Sequence, residues 1–110
     1  MIIGTGIDVI ELERIRRAME NPRFADRILT PIERAGGTST AYMAGRWAAK
    51  EAIYKASPIS LTWQQIEIES LPSGAPRVRV LHPGWDNSIR IWISISHERS
   101  VAAAVVILET

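Results

Sequence analysis

GRWAAKEAIYKA, residues 45–56, decides the fold: it is rich in strong helix formers and bounded by signals that fix its ends. Pro58 disfavours helical backbone at the residue before it, so the helix stops near Ser57. Upstream, Thr38, Ser39 or Thr40 supplies the N-cap. At about 100° per residue, Met43, Ala44, Trp47, Glu51, Tyr54 and Lys55 fall on one side and Gly45, Ala49, Ala52 and Ala56 on the other. The small-residue side lets another element approach closely. Glu51 is then placed in an apolar sector, where a carboxylate must be paired or bind a cation.

Outward from that helix toward the N-terminus, residues 2–10 (IIGTGIDVI) alternate with a β period. Ile3, Thr5, Ile7 and Val9 take one face and Gly4, Gly6 and Asp8 the other. Glycines there leave room for something bulky beside the carboxylate, or allow another backbone to come close. Residues 11–20 switch to helical spacing and end at Asn21-Pro22, and a short helix follows over Arg23 to Leu29. Thr30-Pro31-Ile32-Glu33 is a capping-box pattern with proline at the first helical position, broken by Gly36-Gly37.

Toward the C-terminus the chain is β in character: IEIESL, RVRVL, IRIWISIS and VAAAVVIL, separated by turns such as Pro72-Ser73-Gly74 and Pro83-Gly84-Trp85-Asp86-Asn87. The expected fold is α+β over residues 1–110 as a single domain. An N-terminal strand and helices precede one long central helix, which packs on a mainly antiparallel sheet. At 110 residues the chain buries one core and has no room for a deep cleft between two domains, so a sizeable active site is expected to borrow a neighbouring subunit.

Composition excludes several classes. Apolar residues make up 46% and charged residues 23%, too apolar for a disordered chain. There is no cysteine, hence no disulfide and no thiolate metal site. A net charge of +1 implies no general affinity for nucleic acid or anionic membrane, and no stretch approaches the ~20 apolar residues of a membrane span. With no signal-peptide pattern at its start, the chain is expected to be cytoplasmic. Eleven of thirteen basic residues are arginine, and the two lysines, Lys50 and Lys55, lie in the central helix.

Two readings of Glu51 follow from spacing. It pairs with Lys55 at i,i+4, worth ~0.2–0.5 kcal/mol. Alternatively the first strand brings Asp8 beside it to form a two-carboxylate oxygen site. Magnesium suits that set, because it takes one or two carboxylates and binds waters and phosphate oxygens with its remaining positions. Arg46, Lys50 and Lys55 would then be phosphate contacts. His97 precedes a charged hairpin tip, His82 belongs to a surface loop, and Trp85 sits in a turn, where either the core or solvent can take it. The remaining tryptophans are expected in the core or at subunit contacts.

The opening GIDVIELERI, the segment AGRWAAKEAIYKA and the SISHE run near the end together resemble the holo-(acyl-carrier-protein) synthases, small bacterial phosphopantetheinyl transferases. The ILTPIE and WQQIEIES segments extend the likeness across nearly the whole chain. The resemblance implies transfer of the phosphopantetheinyl group of coenzyme A to a serine of an acyl carrier protein or carrier domain, releasing adenosine 3',5'-bisphosphate. It implies Asp8 and Glu51 as magnesium ligands, with Glu51 and Lys55 catalytic. It makes Arg46, Lys50, Lys55 and His97 contacts to coenzyme A, and Arg14 and Arg23 contacts to an acidic carrier protein, whose transfer should weaken as salt rises. It implies a homotrimer with active sites between subunits. Two segments depart from the family pattern: Ser57-Pro58-Ile59-Ser60 replaces a G-T-G run, and Gly74-Ala75-Pro76 stands where relatives often have glycine-lysine-proline. The alternative is a non-catalytic oligomeric binding module of the same fold. A magnesium-dependent phosphohydrolase using the same carboxylates is a third reading, without a motif of its own.

Overall fold

The computed structural model describes Met1–Thr110 and has the element order β1 (Ile2–Glu11), α1 (Leu12–Ala18), α2 (Phe24–Ile28), α3 (Pro31–Gly36), α4 (Thr40–Ala56), β2 (Ile66–Ser70), β3 (Pro76–Val80), β4 (Arg90–His97) and β5 (Val101–Glu109), with a 3-10 turn at Trp63–Gln65. The α+β expectation holds. Ser39 is the N-cap of α4, its hydroxyl accepting the Tyr42 N–H, and α4 ends at Ala56 before the Ser57-Pro58 pair. The capping box at Thr30 and Glu33 forms in full, with Pro31 opening α3. Gly74 takes φ +90° in the β2–β3 turn, where a residue with a side chain would be strained.

The strands divide into two antiparallel sheets, β1-β5-β4 and the hairpin β2-β3. The first strand pairs with the last, in a register that sets Gly6 opposite Val106 and Asp8 opposite Ala104. Alternation then gives the larger sheet two faces. Gly4, Gly6, Asp8 and Ile10 share the inner face with Ala102, Ala104, Val106 and Leu108, and α4 lies across it. The outer face carries Ile3, Ile7, Val9, Trp92 and Val105, each more than 40% exposed.

The glycines of β1 serve close approach of a backbone. A Cβ on Gly4 would stand 2.2 Å from the Ala56 carbonyl oxygen and one on Gly6 1.9 Å from that of Ala52, both main-chain atoms that cannot rotate away. Helix and strand are therefore in direct backbone contact, which the small face of α4 permits. Gly6→Ala is expected to cost about 3 kcal/mol, the upper end of overpacking penalties. A lowered urea midpoint with an unchanged slope would be the observation.

Candidate active site

Gly4 meets Ala56 and Gly6 meets Ala52, so Asp8, next on the same face of β1, comes beside the turn of α4 that carries Glu51. The Asp8 side chain is 15% exposed. Its Oδ1 accepts from Lys55 Nζ at 3.1 Å, and the same ammonium donates to the Ile7 carbonyl at 2.9 Å. Its other oxygen, Oδ2, is buried with no hydrogen-bond partner. A buried carboxylate oxygen without a donor is unusual in a folded protein and marks where a cation or donor belongs.

Glu51 is half-buried and near enough to Asp8 to feel its charge. Burial raises its proton affinity most, the Asp8 charge raises it further, and Lys55 partly offsets both. The intrahelical pair of Glu51 with Lys55 does not form, since Lys55 turns to Asp8 instead. The helix face is also redrawn: Met43 and Ala44 join the small residues in the core, Tyr54 and Lys55 are exposed, and Glu51 stands on the boundary.

Two adjacent carboxylates, one with an orphaned oxygen, fit magnesium well. No group of three or more His, Cys, Asp or Glu residues is gathered anywhere. The donor set would therefore supply only part of a magnesium shell, with positions left for water and phosphate oxygens, in contrast to the closed cages of structural zinc or calcium.

The arrangement has a stability consequence. A carboxyl with raised proton affinity in the fold stabilises the native state below its ordinary value of 4.5, and that contribution is lost as pH rises through the raised value. Metal-free Glu51→Gln should therefore melt above wild type at neutral pH, with the gain vanishing toward acid. Thermal melts in chelator across that range check both the sign and the window.

Lys50 requires a correction. The expected phosphate contact points into the core: its side chain is 0% exposed, and Nζ donates to Glu33 Oε1 at 2.6 Å, the Ile28 carbonyl at 2.6 Å and the Trp63 carbonyl at 2.9 Å. An ammonium has three donors, and all three are taken. Burial lowers its proton affinity, and the Glu33 carboxylate pulls it back up. Glu33 itself was legible only as a capping residue, and nothing local in sequence links it to Lys50.

Arg46 is 8% exposed, lies over the Tyr42 ring at 4.4 Å from the centroid and donates to Ser70 Oγ at 2.9 Å. Its Nε is the other buried side-chain atom without a partner. His97 ends β4 opposite Ala102, two strands from Asp8 and one pleat further along, and is exposed. Within one chain it is not brought to Asp8 and Glu51. Arg14 and Arg23 are exposed and make no ion pair, whereas Arg16 and Arg17 are held by Glu13. Of the two places its turn allowed, Trp85 takes the core, while Trp92 is exposed. Half-buried His82 accepts the Gly84 N–H at Nδ1, which tightens the turn that delivers Trp85 to the core. A cavity of about 290 Å³ beside Glu51 had no sequence signal.

The sequence model of the 4'-phosphopantetheinyl transferase superfamily matches residues 4–106. The chain is 43% identical to a holo-[acyl-carrier-protein] synthase of Shouchella clausii, over 100% of both chains. Among solved structures it resembles the holo-[acyl-carrier-protein] synthase of Neisseria meningitidis, with TM-score 0.89 and 33% identity over 100% of both chains. It also resembles the holo-(acyl-carrier-protein) synthase of Bacillus anthracis in complex with CoA (3',5'-ADP), with TM-score 0.87 and 36% identity over 100% of this chain and 98% of that one. Matched over nearly its whole length by the family and by these relatives, the chain belongs to the 4'-phosphopantetheinyl transferase superfamily, among the holo-(acyl-carrier-protein) synthases.

Proposed function

We propose that this chain transfers the phosphopantetheinyl group of coenzyme A to a serine of an apo acyl carrier protein or carrier domain, releasing adenosine 3',5'-bisphosphate. It would do so in the cytoplasm, as one transferase domain spanning residues 1–110. The observation that carries the reading is the juxtaposition of Asp8, Glu51 and Lys55 across the β1–α4 contact in a chain of this family.

Asp8 and Glu51 are the residues that would hold magnesium, which when bound supplies charge neutralisation for the pyrophosphate. The protein's own part is positioning and proton transfer. Glu51 takes the proton of the carrier serine hydroxyl directly or across one water as the oxygen attacks phosphorus and adenosine 3',5'-bisphosphate departs. Lys55 keeps Asp8 oriented through one hydrogen bond and has a further donor for a phosphate oxygen of the substrate. No covalent enzyme intermediate is needed, in keeping with a chain that has no cysteine.

Arg46 and His97 are read as contacts to the nucleotide end of coenzyme A. Because His97 lies two strands from Asp8, one ligand meeting both sets of residues is best accommodated between subunits. The apolar outer face of the β1-β5-β4 sheet supports self-association, and a homotrimer is the assembly proposed. Unpaired and exposed, Arg14 and Arg23 are suited to an acidic carrier surface.

Intact-mass measurement of an apo acyl carrier protein incubated with the chain, coenzyme A and magnesium tests the proposal. One added phosphopantetheinyl group in the complete mixture, absent without metal, is the expected result. A folded sample that modifies none of several carrier proteins would overturn it.

A further inference from the structure

Tyr42 lies one turn before Arg46 on α4 and is half-buried against the α3–α4 connection. Its hydroxyl donates to the Glu33 carbonyl, and its N–H is capped by Ser39 Oγ at 3.1 Å. The connection passes close to the ring because it carries no side chain there. A Cβ on Gly36 would stand 2.8 Å from the Tyr42 hydroxyl, and one on Gly37 3.2 Å from its Cγ. The ring is thereby fixed, and the Arg46 guanidinium lies over it at 4.4 Å from the centroid.

The fold itself makes little use of that guanidinium. Arg46 is 8% exposed, yet of its several donors one meets a protein acceptor, Ser70 Oγ at 2.9 Å, and Nε is buried without a partner. A guanidinium with idle donors is drawn to a carboxylate. One stands near: Glu69 lines a cavity of about 270 Å³ together with Tyr42, Arg46 and Ser70, and the hydrogen bond of Arg46 goes to the serine. The face of an aromatic ring attracts a cation most where water is excluded, so Tyr42 opposes a swing toward Glu69.

We propose that Tyr42 is a positioning residue for coenzyme A: its ring holds the Arg46 guanidinium off Glu69 and leaves the remaining donors for a phosphate of the ligand. The inference rests on the reading of Arg46 as a contact to the nucleotide end of coenzyme A and adds what keeps that contact ready. The hydroxyl has a separate task, fastening α4 to α3 through the Glu33 carbonyl. Ring and hydroxyl are therefore separable by substitution.

Calorimetric titration of the full chain with coenzyme A in magnesium, and steady-state transfer to an apo acyl carrier protein, test the assignment. Tyr42→Leu removes the ring and should raise Kd and KM for coenzyme A about tenfold, with kcat held within about twofold. Tyr42→Phe returns the ring without the hydroxyl and should recover the affinity while melting below wild type. Glu69→Gln added to Tyr42→Leu should regain most of the lost affinity, and Glu69→Gln alone should gain far less. A double variant as weak as Tyr42→Leu, or a Tyr42→Phe as weak as Tyr42→Leu, would overturn the assignment. If Tyr42→Leu does not fold, Tyr42→trifluorophenylalanine takes its place, since it keeps the ring's shape and drains its negative face. Weaker coenzyme A binding than by Tyr42→Phe is then the expected result, and equal binding overturns the role. Failure of the underlying reading looks different: wild type does not bind coenzyme A, or Arg46→Ala binds it undiminished, and the positioning role falls with it.

Discussion

Lys50→Met is expected to cost about 3–5 kcal/mol of folding stability, the range for removing one partner of a buried ion pair. Methionine replaces the stem and leaves the Glu33 carboxylate buried without a counter-charge, both side chains being 0% exposed. The carbonyls of Ile28 and Trp63 lose their donor at the same time. For a domain of this size that is at least a fifth of a total of about 5–15 kcal/mol. Urea unfolding of wild type and variant gives the difference directly. A loss under about 1 kcal/mol would mean that water or a rearranged side chain replaces the ammonium.

The double variant Lys50→Met, Glu33→Gln sharpens the expectation. A buried pair replaced at both ends is often close to neutral, because the desolvation penalty disappears with the charges. Here Glu33 also accepts the Thr30 N–H at Oε1 and the Ile68 N–H at Oε2, each at 2.8 Å. A glutamine amide presents one acceptor and must turn its NH2 toward a backbone donor on the other side. The double variant should therefore be more stable than Lys50→Met alone and less stable than wild type. The pair is a junction that fastens α2, α3, α4 and β2 to one another.

Much of this architecture was legible because it is local. The Thr30 to Glu33 capping box, the stop before Pro58 and the alternation of β1 each depend on residues a few positions apart, and each forms as read. The destination of Lys50 was not legible, since its carboxylate partner lies 17 residues away on another helix and no spacing rule links them. The glycines of β1 admitted two readings, and the distances to the Ala52 and Ala56 carbonyls choose backbone contact. Trp85 was open for a similar reason: its turn is real and carries the His82 to Gly84 bond, and the indole within it goes to the core. The Asp8 and Glu51 pairing was proposed as one of two options. What the sequence could not contain was that Lys55 sides with Asp8, leaving Oδ2 bare.

Asp8→Ala should separate activity from stability. Under the proposed function the substitution removes one of two magnesium ligands, and phosphopantetheinyl transfer should fall at least ~100-fold in kcat/KM, comparable with deleting one preorganised electrostatic group. Folding should not suffer in proportion, because the lost carboxylate carries a buried oxygen with no partner and raises the proton affinity of Glu51 beside it. Metal-free Asp8→Ala is thus expected to melt no lower than wild type, the opposite of Lys50→Met. Asp8→Asn refines the test: it keeps the size of the side chain and an oxygen for Lys55 Nζ while deleting the charge. If Asp8→Asn transfers normally at saturating magnesium, the negative charge is dispensable and Asp8 serves only to orient Lys55. If both variants are inactive yet fold at least as well as wild type, Asp8 is retained at a cost in stability for the sake of the reaction, as strained functional carboxylates are.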